Sequence, residues 1–261
     1  GTTIRPPDRE FPGNVPGHAT SLSRVIDPLI DDAARSRLIR RFGDDVTGWI
    51  DALPDLVAAL TARWGLTLVT LMPGGSGATF LCTDAVLKVT PDHDIAALET
   101  RALTAWADTP AMVGLLDTDL ARGALLLQRI DPGTRATDPA LVVPSLHAAN
   151  PAGFPPLKAR VDFLFETVLT RRTGTYYASE HHRARKLAED NVKPVLLHGD
   201  MHPGNVLQGP HGPVAIDPRA CVGDPASDWM DFVHGGYDLH GADVDLDRVH
   251  EWLSAFKPFY G

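Results

Sequence analysis

The feature that most constrains the fold of this chain is a set of short apolar runs, each of which ends in polar side chains. These runs lie between positions 195 and 218. One run leads into His198-Gly-Asp-Met-His-Pro-Gly-Asn205, and a later run, Val214-Ala-Ile, leads into Asp217. Proline and glycine pairs interrupt the apolar pattern between the runs, so this segment predicts short strands joined by turns. The sequence therefore predicts that polar groups are presented at the ends of short strands.

Two carboxylates and one amide in this order fit the chemistry of phosphoryl transfer. In kinases, one aspartate accepts the proton of the acceptor hydroxyl, while an asparagine and a second aspartate hold Mg²⁺ against the nucleotide phosphates. The sequence predicts Asp200 as the base, and Asn205 and Asp217 as the metal ligands. Pro218 biases Asp217 away from helical dihedral angles, which favours a position at the end of a strand.

The same segment leaves a second interpretation open. His198, Asp200 and His202 alternate along the chain, and imidazoles with a carboxylate can bind a hydrolytic metal such as zinc. The spacing alone is weak evidence, because Pro203-Gly204 ends any such strand almost at once. The other histidines show no recognisable ligand spacing. A metallohydrolase is therefore the less favoured hypothesis.

A glycine-rich turn lies upstream of this motif. Residues 66–72 and 78–82 read as two strands of a hairpin, with Pro73-Gly-Gly-Ser-Gly77 between them. Glycine lets backbone amides approach a phosphate closely, so Gly74, Gly75, Ser76 and Gly77 are the predicted phosphate contacts. The turn is not a Walker A loop, because no Gly-Lys-Ser/Thr and no helix follow it. An ordinary hairpin turn is the alternative.

A lysine within an apolar strand strengthens the nucleotide interpretation. The segment 85–90 reads as that strand, and Lys88 within it follows the pattern of the ATP-binding lysine strand of protein kinases. The following segment, 94–107, has helical periodicity and carries Glu99 as the predicted partner of the lysine. Taken singly, an edge-strand lysine and a solvated glutamate would be equally good interpretations; their order relative to Asp200 favours function.

A second predicted hairpin precedes a predicted hinge. Its strands are 112–116 and 124–127, with a turn at 117–122, and the hinge is 128–133. In kinases the adenine pairs with backbone groups of the hinge. The predicted contacts of the base are Leu127, Gln128, Arg129 and Ile130.

These motifs together resemble the aminoglycoside phosphotransferase family, and most of all its streptomycin 6-phosphotransferase and hydroxyurea kinase subgroup. The segments that carry the resemblance are Trp49-Ile-Asp-Ala-Leu-Pro-Asp-Leu-Val57, Arg63-Trp64, Leu71-Met-Pro-Gly-Gly-Ser-Gly77, Ala85-Val-Leu-Lys88, Leu125-Leu-Leu-Gln-Arg-Ile130, Leu197-His-Gly-Asp-Met-His-Pro-Gly-Asn205 and Ile216-Asp-Pro218. The resemblance implies the same roles for the base, the Mg²⁺ ligands and the ATP-orienting pair. It further implies that His202, Asp224, Asp228 and Asp231 support the catalytic loop or the substrate.

The implied fold is α+β, a two-lobed protein-kinase-like fold. Its N-lobe is an antiparallel sheet with a helix, and its C-lobe is larger and mainly helical. The predicted units are 1–127 (a proline-rich strap over about residues 1–30, helices and the nucleotide-binding N-lobe), the hinge 128–133, and a catalytic C-lobe 134–261. Predicted helices outside the motifs are 31–42, 51–63, 157–171 and 179–190.

The composition limits the classes of molecule that the protein is expected to bind. The chain has 261 residues, 44% of them hydrophobic, and a formal net charge of −9. That charge argues against binding a nucleic acid backbone, which requires clustered Lys and Arg. The aspartates after the metal motif suit a cationic substrate, although a solvated acidic face explains the last three at least equally well. They are Asp224, Asp228, Asp231, Asp238, Asp243, Asp245 and Asp247.

Two cysteines imply no disulfide framework, and no apolar run approaches the length of a membrane span. We therefore expect a cytoplasmic protein without a membrane partner, and the oligomeric state is not indicated.

The sequence as a whole predicts an ATP- and Mg²⁺-dependent O-phosphotransferase. The expected substrate is a hydroxylated, cationic small molecule of the aminoglycoside kind, with a streptomycin-type acceptor favoured. A kinase of an amino sugar, a sugar or another hydroxylated metabolite is the first alternative. A non-catalytic nucleotide-binding module and the metallohydrolase are alternatives of other classes.

Overall fold

An antiparallel sheet of five strands forms the first half of the protein. The computed structural model describes residues 29–72, 74, 76–190 and 193–261; the predicted strap lies outside these residues except for positions 29 and 30. The strands are β1 (Leu68–Met72), β2 (Ala78–Cys82), β3 (Ala85–Val89), β4 (Leu115–Asp119) and β5 (Ala124–Gln128). Their spatial order is β1-β2-β3-β5-β4.

Close backbone packing shapes the hairpin of β1 and β2. A Cβ atom at Gly77 would lie 2.2 Å from the carbonyl oxygen of Val89, so only glycine fits at the start of β2. In the centre of the sheet, Lys88 of β3 pairs with Leu125 of β5. The lysine is thereby placed on a strand whose neighbours are buried and apolar.

Three helices accompany the sheet: α1 (Asp32–Phe42), α2 (Thr47–Trp64) and α3 (His93–Ala105). Asp31 caps α1 because its side chain accepts a hydrogen bond from the N–H of Ala34 at 2.6 Å. Helix α2 begins four residues earlier than predicted, so Pro54 lies inside it and not near its start. Burial of one apolar face, which includes Leu53 and Val57, stabilises this helix despite the proline.

The predicted position of β4 was wrong. Residues 112–116 were expected to form the strand, whereas β4 runs from 115 to 119 and the turn occupies only 120–122. The preceding residues instead contact the second half of the chain, because the N–H of Val113 donates to the carbonyl of Ala215 at 3.0 Å. Met112 also forms a parallel bridge with Ala215.

The second half is mainly helical and has two small sheets. Its helices are α4 (Val143–His147), α5 (Leu157–Phe163), α6 (Thr170–Thr173), α7 (Ala178–Glu189), α8 (Met230–His234) and α9 (Leu246–Ala255). Its strands are β6 (Val195–Leu197), β7 (Val206–Gly209), β8 (Gly212–Ala215) and β9 (Cys221–Gly223), paired as β6-β9 and β7-β8. The helix predicted over 157–171 is interrupted by a π-helical segment, Leu164–Leu169, in which Phe165 is fully buried.

One apolar core is shared by the two halves of the chain. It joins the inner face of α3, including Trp106, and β5, including Leu125, to buried side chains of α5, α8 and α9. In the residues that the structure describes, no helix is both long and apolar enough to cross a bilayer. The unit boundaries predicted at 127 and 133 stay a prediction.

Candidate active site

The loop that carries Asp200 follows β6 and is fixed by backbone contacts. Gly199 has a φ of 76°, and a Cβ atom there would lie 2.2 Å from the carbonyl oxygen of Arg219, so the turn requires glycine. The buried carboxylate of Asp228 accepts hydrogen bonds from the N–H groups of His198 at 2.8 Å and Gly199 at 3.1 Å. Asp228 therefore holds the start of the loop.

The two histidines of the motif form hydrogen bonds with backbone groups. His198 is fully buried, its Nε2 lies 3.0 Å from the carbonyl oxygen of Ile216, and its Nδ1 accepts from the N–H of Asp200 at 3.3 Å. Burial lowers the pKa of His198 and favours the neutral ring. His202 Nδ1 accepts from the N–H of Gly204 at 3.1 Å. This arrangement gives no support to a zinc site.

Other potential metal ligands lie elsewhere. Among the described residues, the one group of three or more His, Cys, Asp or Glu side chains close enough to share an ion is Asp162, Glu166 and His181. It does not include the motif around Asp200.

Asn205 and Asp217 lie beside the Asp200 loop. The side-chain N–H of Asn205 donates to the carbonyl of Asp200 at 2.9 Å, which leaves the amide oxygen of Asn205 as an acceptor. Asp217 adopts a φ of 58°, in the left-handed region, and not the extended conformation that Pro218 favours. Asp is among the residues that tolerate this region, so the turn overrides the proline bias.

A buried ion pair connects the sheet to Asp217. Lys88 Nζ lies 2.6 Å and 2.7 Å from the two carboxylate oxygens of Glu99, and 2.5 Å from Asp217 Oδ1. The side chains of Lys88 and Glu99 are 8% and 1% exposed, so solvent screens the pair little. Burial alone would raise the pKa of Asp217, but Lys88 and Arg219 outweigh it and hold that pKa well below its usual value.

Two arginines that the sequence analysis missed contact these carboxylates. Arg160 of α5 donates to Asp200 Oδ1 and to the carbonyl of Gly199, both at 2.9 Å. Arg219 Nη2 lies 3.0 Å from Asp217 Oδ1, and its Nη1 lies 3.4 Å from Glu99. Arg219 follows the aspartate by two residues and could have been inferred from that proximity. Arg160 lies forty positions before Asp200, and no local pattern marks it.

The glycine-rich turn is joined to this network through the side chain of Ser76. Arg219 Nη2 donates to Ser76 Oγ at 2.6 Å, and the carbonyl of Ser76 accepts from Thr90 Oγ1 at 2.7 Å. The carbonyl of Gly74 accepts from Arg37 Nε at 3.2 Å. Gly77 immediately precedes β2, and the predicted contact Gly75 lies outside the described residues.

Ser76 and Arg219 should therefore be energetically coupled. We expect a double-mutant cycle of Ser76→Ala and Arg219→Ala to give a coupling of about 1.5 kcal/mol in the free energy of unfolding, because the hydrogen bond involves a charged donor. Urea denaturation of the four proteins measures it. The same cycle with Thr70→Ala, an exposed hydroxyl on β1, serves as the control. Equal coupling in both cycles would contradict the contact.

The predicted hinge residues occupy different environments. Leu127 and Gln128 end β5, and the N–H of Gln128 donates to the carbonyl of Gly114 at 2.8 Å. The Arg129 side chain turns back to the β2–β3 connection, where it donates to the carbonyl of Thr83 at 2.8 Å. Ile130 packs against the shared core. Leu127 and Ile130 therefore offer only backbone groups and apolar surface to a base, whereas the side chain of Gln128 is polar and exposed.

The acidic residues after the metal motif have distinct roles. Asp224 is buried, and its Oδ2 accepts from Arg248 Nε at 2.6 Å and from Trp252 Nε1 at 2.8 Å. Like Asp228, it is committed to internal contacts and is not available to attract a cationic substrate. Asp231 is partly buried, and burial raises its pKa. His202, Tyr260 and Asp200 are among the groups that interact with its charge.

The residues present fit a hard divalent cation. Asp217 offers a carboxylate of lowered pKa, which is ionised at neutral pH, and Asn205 offers an amide oxygen. Oxygen ligands of this kind are those that Mg²⁺ prefers, and a magnesium site completed by substrate phosphates needs only one or two of them.

The fold and the site together define a class, the kinase-like enzymes that phosphorylate small molecules. Residues 77–240 match the family model described as aminoglycoside/hydroxyurea antibiotic resistance kinase. The chain belongs to this family, and the resemblance inferred from the sequence is confirmed.

Two relatives and one solved structure illustrate the family and the fold. A hydroxyurea phosphotransferase of Kitasatospora aureofaciens is 32% identical over 237 residues, which are 77% of this chain and 69% of that protein. A streptomycin 6-kinase of Streptomyces glaucescens is 27% identical over 258 residues, covering 88% of this chain and 81% of that protein. The ADP-bound aminoglycoside phosphotransferase APH(2'')-Ib aligns with a TM-score of 0.50 at 14% identity, over 78% of this chain and 83% of its own.

These similarities confirm the α+β kinase-like fold. The protein is a small-molecule kinase, an ATP-binding phosphotransferase with a hydroxyl group as acceptor.

Proposed function

We propose that this protein transfers the terminal phosphate of ATP, with Mg²⁺, to a hydroxyl of an aminoglycoside-like acceptor, with Asp200 as the base. The observation that carries the proposal is the convergence of four segments of the chain on one site. Lys88 of β3 joins Glu99 of α3 to Asp217 at 2.5 Å, and Asn205 is hydrogen-bonded to the backbone of Asp200 at 2.9 Å. These contacts support a proposed base, two proposed oxygen ligands and a proposed phosphate-binding lysine within one site.

The residues of the chain would act mainly by positioning and by electrostatics. Asp200 accepts the proton of the acceptor hydroxyl as its oxygen bonds to the terminal phosphorus, and the bond from that phosphorus to the β,γ-bridging oxygen breaks. Arg160 holds the Asp200 carboxylate at 2.9 Å and so limits its rotation. Lys88, held by Glu99, binds the phosphates of the departing ADP.

Mg²⁺, held by Asn205 and Asp217, would neutralise the charge that develops on the phosphate oxygens. The glycine-rich turn, here Gly74, Ser76 and Gly77, would cover the phosphates with its backbone amides, and the segment from Leu127 to Ile130 would receive the adenine.

A streptomycin-type acceptor is proposed because a streptomycin 6-kinase aligns over 88% of this chain. Asp231, whose charge interacts with those of Asp200 and His202, is the carboxylate proposed for a guanidinium or ammonium group of such a substrate, since Asp224 and Asp228 are committed internally. Hydroxyurea is the second candidate, because the relative that phosphorylates it is 32% identical. It is small and neutral and would not need Asp231.

Acceptor-dependent turnover tests the proposal. We expect the purified protein with ATP and Mg²⁺ to release ADP when streptomycin is present, and to do so at no more than about a hundredth of that rate without acceptor. The assay couples ADP release to NADH oxidation and compares streptomycin, other aminoglycosides, hydroxyurea, glucosamine and glucose. If hydroxyurea is the one compound that supports turnover, hydroxyurea replaces streptomycin as the proposed acceptor. ADP release at the same rate with and without every acceptor would contradict the proposal.

Asp231→Asn provides a matched test of the cationic acceptor. We expect this substitution to raise KM for streptomycin by about tenfold, because it removes one charge-assisted hydrogen bond to the substrate. The KM for ATP should be unchanged. Steady-state kinetics with each substrate varied in turn make the measurement. An unchanged KM for streptomycin would remove Asp231 from the acceptor site.

A further inference from the structure

Helix α1 lies outside the part of the chain that matches the family model, yet it contacts the candidate active site. Arg37 donates to the carbonyl of Gly74 in the glycine-rich turn at 3.2 Å. One turn further along, at the C-terminal end of the helix, Arg171 of α6 donates to the carbonyl of Arg41. Leu38, 1% exposed, anchors α1 on the side that packs against α2. The helix thus spans from the glycine-rich turn to the helical half of the protein.

The guanidinium of Arg41 lies close to the Asp200 loop. Its carbon is 5.5 Å from the centre of the Phe163 ring, and the guanidinium carbon of Arg160 is 5.8 Å from the same ring centre. Arg160 in turn donates to Asp200 at 2.9 Å. The two guanidinium groups therefore contact the same ring, and one of them is bonded to the proposed base.

The side chain of Arg41 has a buried hydrogen-bond donor that is unsatisfied among the described residues. Its Nε is buried, and among the residues that the structure describes no hydrogen-bond partner accepts from it. Burial, and then the nearby charges of Arg219 and Arg160, lower the pKa of Arg41; Asp200 and Asp92 act in the opposite direction. Asp92 already caps α3 with its side chain. Arg160 and Arg219 already have carboxylate partners, whereas the buried Nε donor of Arg41 has none among the described residues, so an anion that accepts from it would be stabilised there.

We propose that Arg41 binds the terminal phosphate of the nucleotide, so that α1 supplies a catalytic residue to the cleft together with Arg160 and Arg219. This inference rests on the proposed function, because it takes ATP as the phosphate donor. A guanidinium matches phosphate oxygens in geometry as well as in charge. The contact of Arg37 with the glycine-rich turn holds α1, and with it Arg41, beside the turn that would cover the phosphate.

Nucleotide binding in the absence of any acceptor tests the proposal independently of the acceptor. The variants are Arg41→Met, which keeps an unbranched side chain over Phe163, and Arg41→Lys, which keeps the charge. Arg40→Met is the matched control, since Arg40 is the exposed neighbour on the same helix. Calorimetric titration with Mg²⁺ compares ADP with the non-hydrolysable β,γ-imido analogue of ATP.

We expect Arg41→Met to weaken the binding of the imido analogue by about tenfold or more and the binding of ADP by less than about twofold, with Arg41→Lys intermediate. Arg40→Met should match the wild-type protein. Equal losses for both nucleotides, or no loss for either, would overturn the proposal. Melting temperatures of the variants separate a folding defect from a binding defect, and if Arg41→Met does not fold, the comparison of Arg41→Lys with wild type decides.

The result can be distinguished from a failure of the proposed function. If the wild-type protein binds both nucleotides but phosphorylates no acceptor, the proposed acceptor is wrong. The binding titrations of the Arg41 variants still test the role of Arg41 in that case. If the wild-type protein binds no nucleotide, the proposed function and the role of Arg41 are both overturned.

Discussion

Asp200→Asn is expected to lower acceptor-dependent turnover by about three orders of magnitude, equivalent to about 4 kcal/mol of transition-state stabilisation. Asparagine preserves the shape of the side chain and can still accept the hydrogen bond from Arg160, but it cannot take the proton of the acceptor hydroxyl. Binding of ATP should change by less than about twofold, because Lys88 and Asp217 remain. Turnover numbers from the coupled assay and nucleotide titration measure the two effects.

The control for this prediction is Asp84→Asn, because Asp84 is exposed in the β2–β3 turn. It should retain turnover close to that of the wild-type protein. Turnover of Asp200→Asn within about tenfold of wild type would remove Asp200 from the role of base.

Asp228→Ala is expected to lower the free energy of unfolding by about 3–5 kcal/mol. The carboxylate is 3% exposed and accepts from the N–H groups of His198 and Gly199 and lies 3.1 Å from His147 Nε2. Its removal leaves buried donors without an acceptor, which is among the costliest changes in a protein core. Urea denaturation measures the loss, and Asp84→Ala should cost less than about 0.5 kcal/mol.

The contribution of Asp228 should depend on pH. Burial by itself would raise the pKa of this carboxyl, but the hydrogen bond and charge of His147 and the contacts with His198 outweigh burial, so the pKa lies below its usual value. Its stabilisation is therefore complete above the unfolded pKa of about 4 and is lost as pH falls through the lower folded pKa. The stability difference between wild type and Asp228→Ala should persist at pH 5 and shrink below about pH 4. A difference that grows as pH falls below 4 would contradict the assignment.

Local sequence patterns predicted the strands and helices that carry the residues of the candidate site. The strand of Lys88 and the helix of Glu99 followed from apolar periodicity, and the structure brings the two side chains together at 2.6 Å. Strands β2 and β7 likewise follow short apolar runs bounded by glycine and proline. Their bounds depend on neighbours close in the sequence, which a single chain reveals.

Long-range contacts account for what the sequence did not reveal. Arg160 and Arg41 reach Asp200 and its surroundings from helices far away in the chain, and their spacing carries no signal. The strand β4 was misplaced because residues 111–113 pair with Ala215, more than one hundred positions later. The left-handed backbone of Asp217 also follows from the tertiary turn and not from the residue after it.

The core shared by α3, β5 and the later helices has a consequence for synthesis of the protein. A chain emerging from the ribosome completes the five-stranded sheet at residue 128, yet the core that includes Trp106 and Leu125 also includes side chains as late as position 256. The nascent first half therefore exposes an apolar surface until these later residues have been translated. A truncated translation product would carry that surface uncovered, and so would be a target for chaperones or proteases.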